Sequence, residues 1–178
     1  MPNVYAINVL KDDTQHAVIK LTGKFDGSGQ ESNTARIVAN TLSGALATNG
    51  YLVANTQGGA ANTTLPYYNL AINRLWYDCS ATANADVELY WTATASNTAF
   101  FLNGNGEYDG AGNWITIPNP TAGAAGSNGN IGITTRGMLN GDSYTIILEL
   151  RKDNAYYQRG QFNDPAAFNY GPNYTLRP

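Results

Sequence analysis

Apolar and polar residues alternate one by one through much of this sequence, which is typical of β-strands with one buried face. Residues 86–94 read DVELYWTAT, and Val87, Leu89 and Trp91 share one side of the predicted strand. Residues 143–151, SYTIILELR, follow the same pattern. Further predicted strands are VYAINVL (4–10), HAVIKLT (16–22), YNLAINRLWYDC (68–79), TAFFL (98–102), NWITI (113–117) and NIGITT (130–135).

In the first predicted strand the alternation places Tyr5, Ile7 and Val9 on one face. Local departures from the alternation are informative as well. In 68–79 the alternation slips near Asn73 and Arg74, which indicates a β-bulge. The segment SNTARIVANTLSGALAT (32–48) combines a helical spacing of Val38, Leu42 and Leu46 with the strand-like run ARIVAN, and a strand followed by a turn is the interpretation we favour.

Composition supports strands joined by turns. The chain has 178 residues, 19 of them Gly, and only 13% are charged. Turn motifs rich in Gly, Asn and Asp separate nearly all the predicted strands. We therefore predict an all-β fold: an antiparallel β-sandwich, jelly-roll-like, over residues 1–155, followed by an extended C-terminal arm over 156–178.

The charge and the length of the apolar stretches argue against two classes of partner, nucleic acids and membranes. The net charge is −3 and Lys and Arg form no cluster, so binding to nucleic acid is not expected. No stretch reaches the roughly 20 apolar residues that a membrane-spanning helix needs, so no membrane partner is expected either. The N-terminus also lacks the basic start and apolar run of a secretory signal.

Residues suited to catalysis are scarce, and we predict that the chain is not an enzyme and has no catalytic residues. His16 is the only histidine, and its place in a predicted strand beside Val18 and Lys20 indicates a surface position. Glu88 and Glu149 lie on outward strand faces and could in principle oppose one another as a glycosidase pair, but solvated outward glutamates are far commoner.

Metal and cofactor sites are likewise not predicted. With one Cys and one His a zinc site is not expected, and Cys79 is interpreted as a small buried apolar residue. The loop 107–113 holds Glu107, Asp109 and Asn113, but it lacks the regular ligand spacing of a calcium loop. Cation binding there is a minor alternative.

Exposed tryptophans can stack on sugars, which keeps a carbohydrate-binding function open. Trp91 shares its face with apolar residues and is assigned to the core, whereas Trp76 could face either way. A surface platform would then be formed by Trp114, with Tyr67 and Tyr68 as further candidates.

The C-terminal segment is aromatic but irregular, with Pro, Gly and Asn between its rings. Its rings either cover their own domain or contact a neighbouring molecule, and Pro residues suit an extended arm more than a central strand. The predicted interface residues are Tyr5, Tyr156, Tyr157, Phe162, Phe168, Tyr170, Tyr174 and Arg177.

The block GNGEYDGAGNWITIPNPTAGAAGSNGNIGITTRGMLNGDSYTIILELRKD (104–153) resembles the C-terminal half of small virion structural proteins of tailed bacteriophages. The aromatic strands AINRLWYDC and VELYWTA precede it, and KLTGKFDGSGQESNTARIV (20–38) is similar to the first half of that family. The resemblance covers most of residues 14–153 through short motifs.

This resemblance implies a structural protein of the virion, and above all a capsid decoration (cement) protein that binds outside the head and braces contacts between capsomers. The implied partners are the major capsid protein and further copies of the chain, with a trimer as the expected oligomer. Assembly would take place in the host cytoplasm. Met1–Tyr5 and the arm would reach neighbours, and loops 55–66 and 117–130 would contact the shell or face outward. The alternatives are a carbohydrate-binding or adhesion module on the virion, and a neck or tail subunit.

Overall fold

A computed structural model describes residues 2–13, 15–45, 70–81, 84–110, 116–120 and 128–152, together with the backbone of 52–53 and 63–64. Within these ranges the chain forms twelve strands and one short 3₁₀ turn, Ala39–Thr41. The strands are β1 (Val4–Asp12), β2 (His16–Lys24), β3 (Thr34–Ile37), β4 (Leu52–Val53), β5 (Thr63–Thr64), β6 (Leu70–Ser80), β7 (Asp86–Trp91), β8 (Asn97–Leu102), β9 (Gly104–Tyr108), β10 (Ile117–Pro118), β11 (Ile131–Arg136) and β12 (Ser143–Lys152).

The longer strands form two antiparallel sheets. Sheet A has the order β1-β2-β12-β6, and both β9 and β10 pair with the remaining edge of β6. Sheet B has the order β3-β11-β7-β8. The two-residue strands β4 and β5 pair with each other.

The pairing is nested in the manner of a jelly roll. When β1 and the two-residue strands are set aside, eight strands remain, and the first pairs with the last, β2 with β12. The second pairs with the seventh, β3 with β11. The third pairs with the sixth, β6 with β9, and the fourth with the fifth, β7 with β8. The predicted antiparallel, jelly-roll-like sandwich is therefore confirmed.

The core lies between the two sheets and is built from the alternating residues of each strand. In β7, Val87, Leu89 and Trp91 are fully buried, as the sequence pattern predicted. Strand β12 contributes one buried residue in two along its whole length. The resulting cluster joins aliphatic and aromatic side chains from both sheets, so burial of apolar area holds the sandwich closed.

A bulge in β6 determines which side chains of that strand face outward. Glu149 of β12 pairs with Arg74, whereas Leu150 pairs with Ile72, so Asn73 is the extra residue. The Asn73 side-chain amide donates a 2.7 Å hydrogen bond to Glu149. This confirms the predicted bulge, and beyond it Leu75 and Cys79 turn to the core while Trp76 and Asp78 turn away from it.

The ambiguous segment 32–48 follows the interpretation we favoured as far as residue 45. Strand β3 is succeeded by the 3₁₀ turn, and the side-chain amide oxygen of Asn130 accepts a hydrogen bond from the backbone N–H of Ala39 at 2.8 Å. Residues 46–48 lie outside the described part. The predicted arm 156–178 and the predicted domain boundary at 155 also lie outside it, because the description ends at Lys152.

Candidate functional site

Most residues predicted from sequence to form an interface or a platform lie outside the described ranges. Tyr5 is the exception, and the structure places it at the edge of sheet A. The residues outside are Tyr67, Tyr68, Trp114, Tyr156, Tyr157, Phe162, Phe168, Tyr170, Tyr174 and Arg177.

Tyr5 is held by two aromatic contacts. Its ring meets that of Phe25 edge-on, with ring centroids 5.8 Å apart. The guanidinium carbon of Arg36 lies 4.4 Å from the centre of the Tyr5 ring, a cation–π geometry. Burial of the side chain raises the pKa of Tyr5. Tyr5 therefore anchors the start of β1 to the sandwich and leaves the rest of the strand as the exposed surface.

The remainder of β1 is an edge strand with apolar side chains on both faces. Its exposed fractions are 59% for Val4, 46% for Ile7, 55% for Val9 and 56% for Leu10. We call this nine-residue strand, Val4–Asp12, the β1 edge; among the described strands only β2 pairs with it. Long apolar edge strands promote pairing with another chain, so this surface is suited to a protein contact.

The register explains why the β1 edge stays exposed. Ile7 pairs with Leu21, and Val9 pairs with Ile19. Because paired residues point to the same side of a sheet, the side chains of Ile7 and Val9 point to the core side of sheet A. The alternation therefore predicted their shared face correctly. Leu21 and Ile19 are buried but Ile7 and Val9 are not, which shows that β1 extends sheet A beyond the cover provided by the other sheet.

The two glutamates considered as a catalytic pair do not oppose one another. Glu88 lies on the outer face of sheet B and Glu149 on the outer face of sheet A, so the whole core separates them. Each has neighbours of its own: Arg136 forms an ion pair with Glu88, and Arg74 lies 3.9 Å from Glu149. Strand alternation gives the face of a residue but not its sheet, so the sequence could not show that the two glutamates lie on opposite sides of the molecule.

His16 and Cys79 occupy the positions predicted for them. His16 lies on the outer face of β2 with Val18 and Lys20, and its backbone N–H donates to Asp13 at 2.7 Å. Cys79 is 4% exposed, and burial, with a smaller contribution from Asp78, raises the pKa of its thiol to about 11. A thiol in that state packs as a small apolar group at neutral pH.

The loop 107–113, a minor alternative for cation binding, is only partly described. Glu107 belongs to β9 and Asp109 follows it, whereas Asn113 lies outside the described residues. Across the described part, no group of three or more His, Cys, Asp or Glu side chains could hold a metal ion.

A surface that the sequence left undecided lies on the outer face of sheet A. There a depression of about 770 Å³ is lined by half-buried Trp76 together with Asp78, Asn105, Glu107, Thr145 and Ile147 from three adjacent strands. We call this surface the Trp76 face. In the sequence, Trp76 and Asp78 are two residues apart and therefore share one face of the strand. Which face this is can be determined only once the position of the bulge is known.

Comparison of the chain with protein-family models, with curated proteins and with solved structures gave no match. Among the described residues, no helix has the length and apolar character needed to cross a membrane.

Proposed function

We propose that the chain is a non-enzymatic structural protein of a tailed-phage particle, a decoration protein that binds the outside of the capsid and braces contacts between capsomers. The resemblance of residues 104–153 and 20–38 to small virion proteins of tailed phages supports the phage assignment. The β1 edge is the structural observation that carries the proposal, because it gives the domain a surface suited to assembly.

The β1 edge supports a stable contact for two physical reasons. Its apolar side chains lose water when another surface covers them, at about 25 cal/mol for each Å² of apolar area. On the side away from β2, its backbone groups pair with no other described strand, so they can pair with a strand from a neighbour, which adds directional hydrogen bonds. In a particle built from many copies, a modest patch of this kind is repeated by symmetry and its effect is multiplied.

The partners in this proposal are the major capsid protein and further copies of the chain, with a trimer as the expected assembly. Tyr5 would lie within the contact made by the β1 edge. The C-terminal aromatic residues from Tyr156 to Tyr174, with Arg177, would supply a second contact. The protein would then be located on the capsid surface of the virion.

Gold-labelled antibody against the chain, applied to particles of the phage that encodes it, tests the proposal directly. Electron microscopy should show label distributed over the head. Label confined to the neck or tail would overturn the decoration assignment in favour of a subunit at that location. Particles that carry no label, with the chain also missing from their mass-spectrometric protein inventory, would overturn the virion assignment.

A further inference from the structure

The Trp76 face is organised as two neighbouring rows of side chains that run across four strands of sheet A. One row is mainly apolar at its centre, where Ile147 of β12 pairs with Trp76 of β6. The next row is polar, with Thr145 paired to Asp78. The first row consists of Lys20, Ile147, Trp76 and Glu107, and the second row consists of Thr22, Thr145, Asp78 and Asn105.

The two acids on this face differ from the outward acids Asp86, Glu88 and Glu149 of other strands. Arg136 forms ion pairs with Asp86 and Glu88, and Asn73 donates to Glu149. In contrast, the carboxylates of Asp78 and Glu107 accept no hydrogen bond and form no ion pair within the described part of the chain. Their acceptor oxygens are therefore free for a ligand.

From this arrangement we propose that the Trp76 face binds a neutral saccharide. A sugar ring has an apolar side made of C–H groups and a rim of hydroxyl groups. The indole of Trp76 and the side chain of Ile147 offer a surface for the apolar side, in the way that aromatic faces pack on flat ligands. The adjacent polar row then lies about 7 Å away along the strands, within reach of the hydroxyl rim.

The polar row has the chemistry that recognises hydroxyl groups. A carboxylate such as Asp78 can accept two hydrogen bonds side by side, which matches a pair of neighbouring sugar hydroxyls. The Asn105 amide both donates and accepts, and the Thr145 hydroxyl does the same. Because these groups stand on paired strands, little conformational freedom is lost on binding.

Charge restricts the ligand to uncharged sugars. The unpaired carboxylates of Asp78 and Glu107 flank Trp76, and they would repel sialic acids, uronic acids or sulfated sugars. Lys20 is the single cation of the two rows and lies at the opposite end from Glu107. This inference goes beyond the role in the phage particle and does not depend on it.

A glycan array carrying neutral oligosaccharides and their sialylated and sulfated counterparts tests the inference on the full chain. We expect binding to neutral glycans in preference to the anionic ones. The best neutral glycan of the array is then titrated by calorimetry against two variants, Trp76→Ala and Asp78→Asn. Each should weaken binding by roughly tenfold or more, as expected for a central aromatic contact and a charge-assisted hydrogen bond.

One control variant separates this face from another aromatic surface. Phe101 is 63% exposed on the outer face of sheet B, so Phe101→Ala removes an exposed ring on the opposite side of the molecule. This variant should retain affinity. An array without neutral-glycan binding, affinity that survives Trp76→Ala, or loss of affinity in Phe101→Ala would each overturn the inference.

Discussion

At the scale of single residues, glycine placed opposite tyrosine is a recurring device of this sandwich. A glycine on one strand leaves room for the tyrosine ring directly across from it, so the ring packs over the neighbouring backbone. Any Cβ added at these glycines would collide with the facing ring. The three pairs are Gly23 with Tyr144, Gly106 with Tyr77, and Gly132 with Tyr90.

Gly132→Ala should therefore destabilise the protein, even though alanine is the better residue for an unconstrained strand. Tyr90 is 3% exposed and cannot move aside freely, so overpacking should lower the free energy of unfolding by about 1–3 kcal/mol. Urea denaturation measures the change. Gly29→Ala is the matched control, since a Cβ there meets nothing within 4 Å, and a similar loss in both variants would contradict the explanation.

Tyr144 takes part in a buried polar cluster that links sheet A to the segment before β3. Its hydroxyl donates a 2.6 Å hydrogen bond to Glu31, which is 4% exposed, and Arg36 donates to the same carboxylate at 2.6 Å. Burial, and then the interaction with Glu31, raise the pKa of Tyr144. Tyr144→Phe should lower the free energy of unfolding at pH 7 by about 1.5–3 kcal/mol.

The same cluster predicts a pH dependence with a definite sign. Because the folded-state pKa of Tyr144 lies above that of an unfolded tyrosine, near 10, its stabilising effect is complete below pH 10 and is lost as the pH rises further. Unfolding followed by urea at pH 9, 10 and 11 should show the difference between wild type and Tyr144→Phe shrinking at the highest pH. A difference that grows from pH 9 to pH 11 would rule out this account.

Which single residues were predictable from sequence depended on the regularity of their strand. Trp91 stands in an unbroken alternation, so its burial could be predicted. Trp76 stands three residues after the bulge at Asn73, and its direction depends on where the bulge falls. The sequence indicates a slip near that point but does not determine the residue that is left unpaired.

At the scale of elements, the β1 edge is the strand with the clearest expected role outside its own domain. Val9→Lys places a charge where an approaching strand would pack, which is how natural edge strands prevent pairing. We expect the variant to stay folded, with a change in stability within about 0.5 kcal/mol, and to associate roughly tenfold more weakly. Sedimentation equilibrium measures the association.

Leu139→Lys provides the matched control for that experiment. Leu139 is 56% exposed, against 55% for Val9, and lies between β11 and β12 rather than in an edge strand. The control should associate like the wild type. Equal association of all three proteins would remove the β1 edge from the proposed interface.

Element prediction from the sequence worked for the longer strands and the directions of their side chains, but it missed β9, whose residues it assigned to a turn, and it did not show which strands are covered by the other sheet. The alternation in β1 correctly placed Ile7 and Val9 on one side, together with Tyr5. It could not show that the opposite sheet reaches only as far as Tyr5, because this depends on how far each sheet extends. For the same reason, the sequence indicated that Glu88 and Glu149 both face outward, but it did not indicate that they lie on different sheets.

At the scale of the whole molecule, the sequence indicated the fold class but not the order of strands in the sheets. Each strand carries its own hydrophobic pattern, so an antiparallel sandwich could be predicted. Sheet order depends on contacts between distant parts of the chain, such as the hydrogen bond from the Lys152 N–H to Gln15. Patterns within a strand contain little information about such pairings.

The proposed C-terminal contact is a property of the whole molecule, and truncation tests it. Removal of residues 156–178 should leave a folded domain, because residues up to Lys152 form both sheets and the apolar cluster between them. Light scattering should give a lower oligomeric state for 1–155 than for the full chain, with circular dichroism confirming β-structure in both. The same oligomeric state for the two proteins would exclude the segment as the contact that holds copies together.

The position of β12 also bears on how the protein is synthesised. This last described strand lies in the middle of sheet A, between β2 and β6. Until residues 143–152 have left the ribosome, the strands that flank it have no central partner and their apolar faces remain uncovered. We therefore expect the sandwich to close late in synthesis, with the apolar faces of the flanking strands exposed to aggregation in that interval.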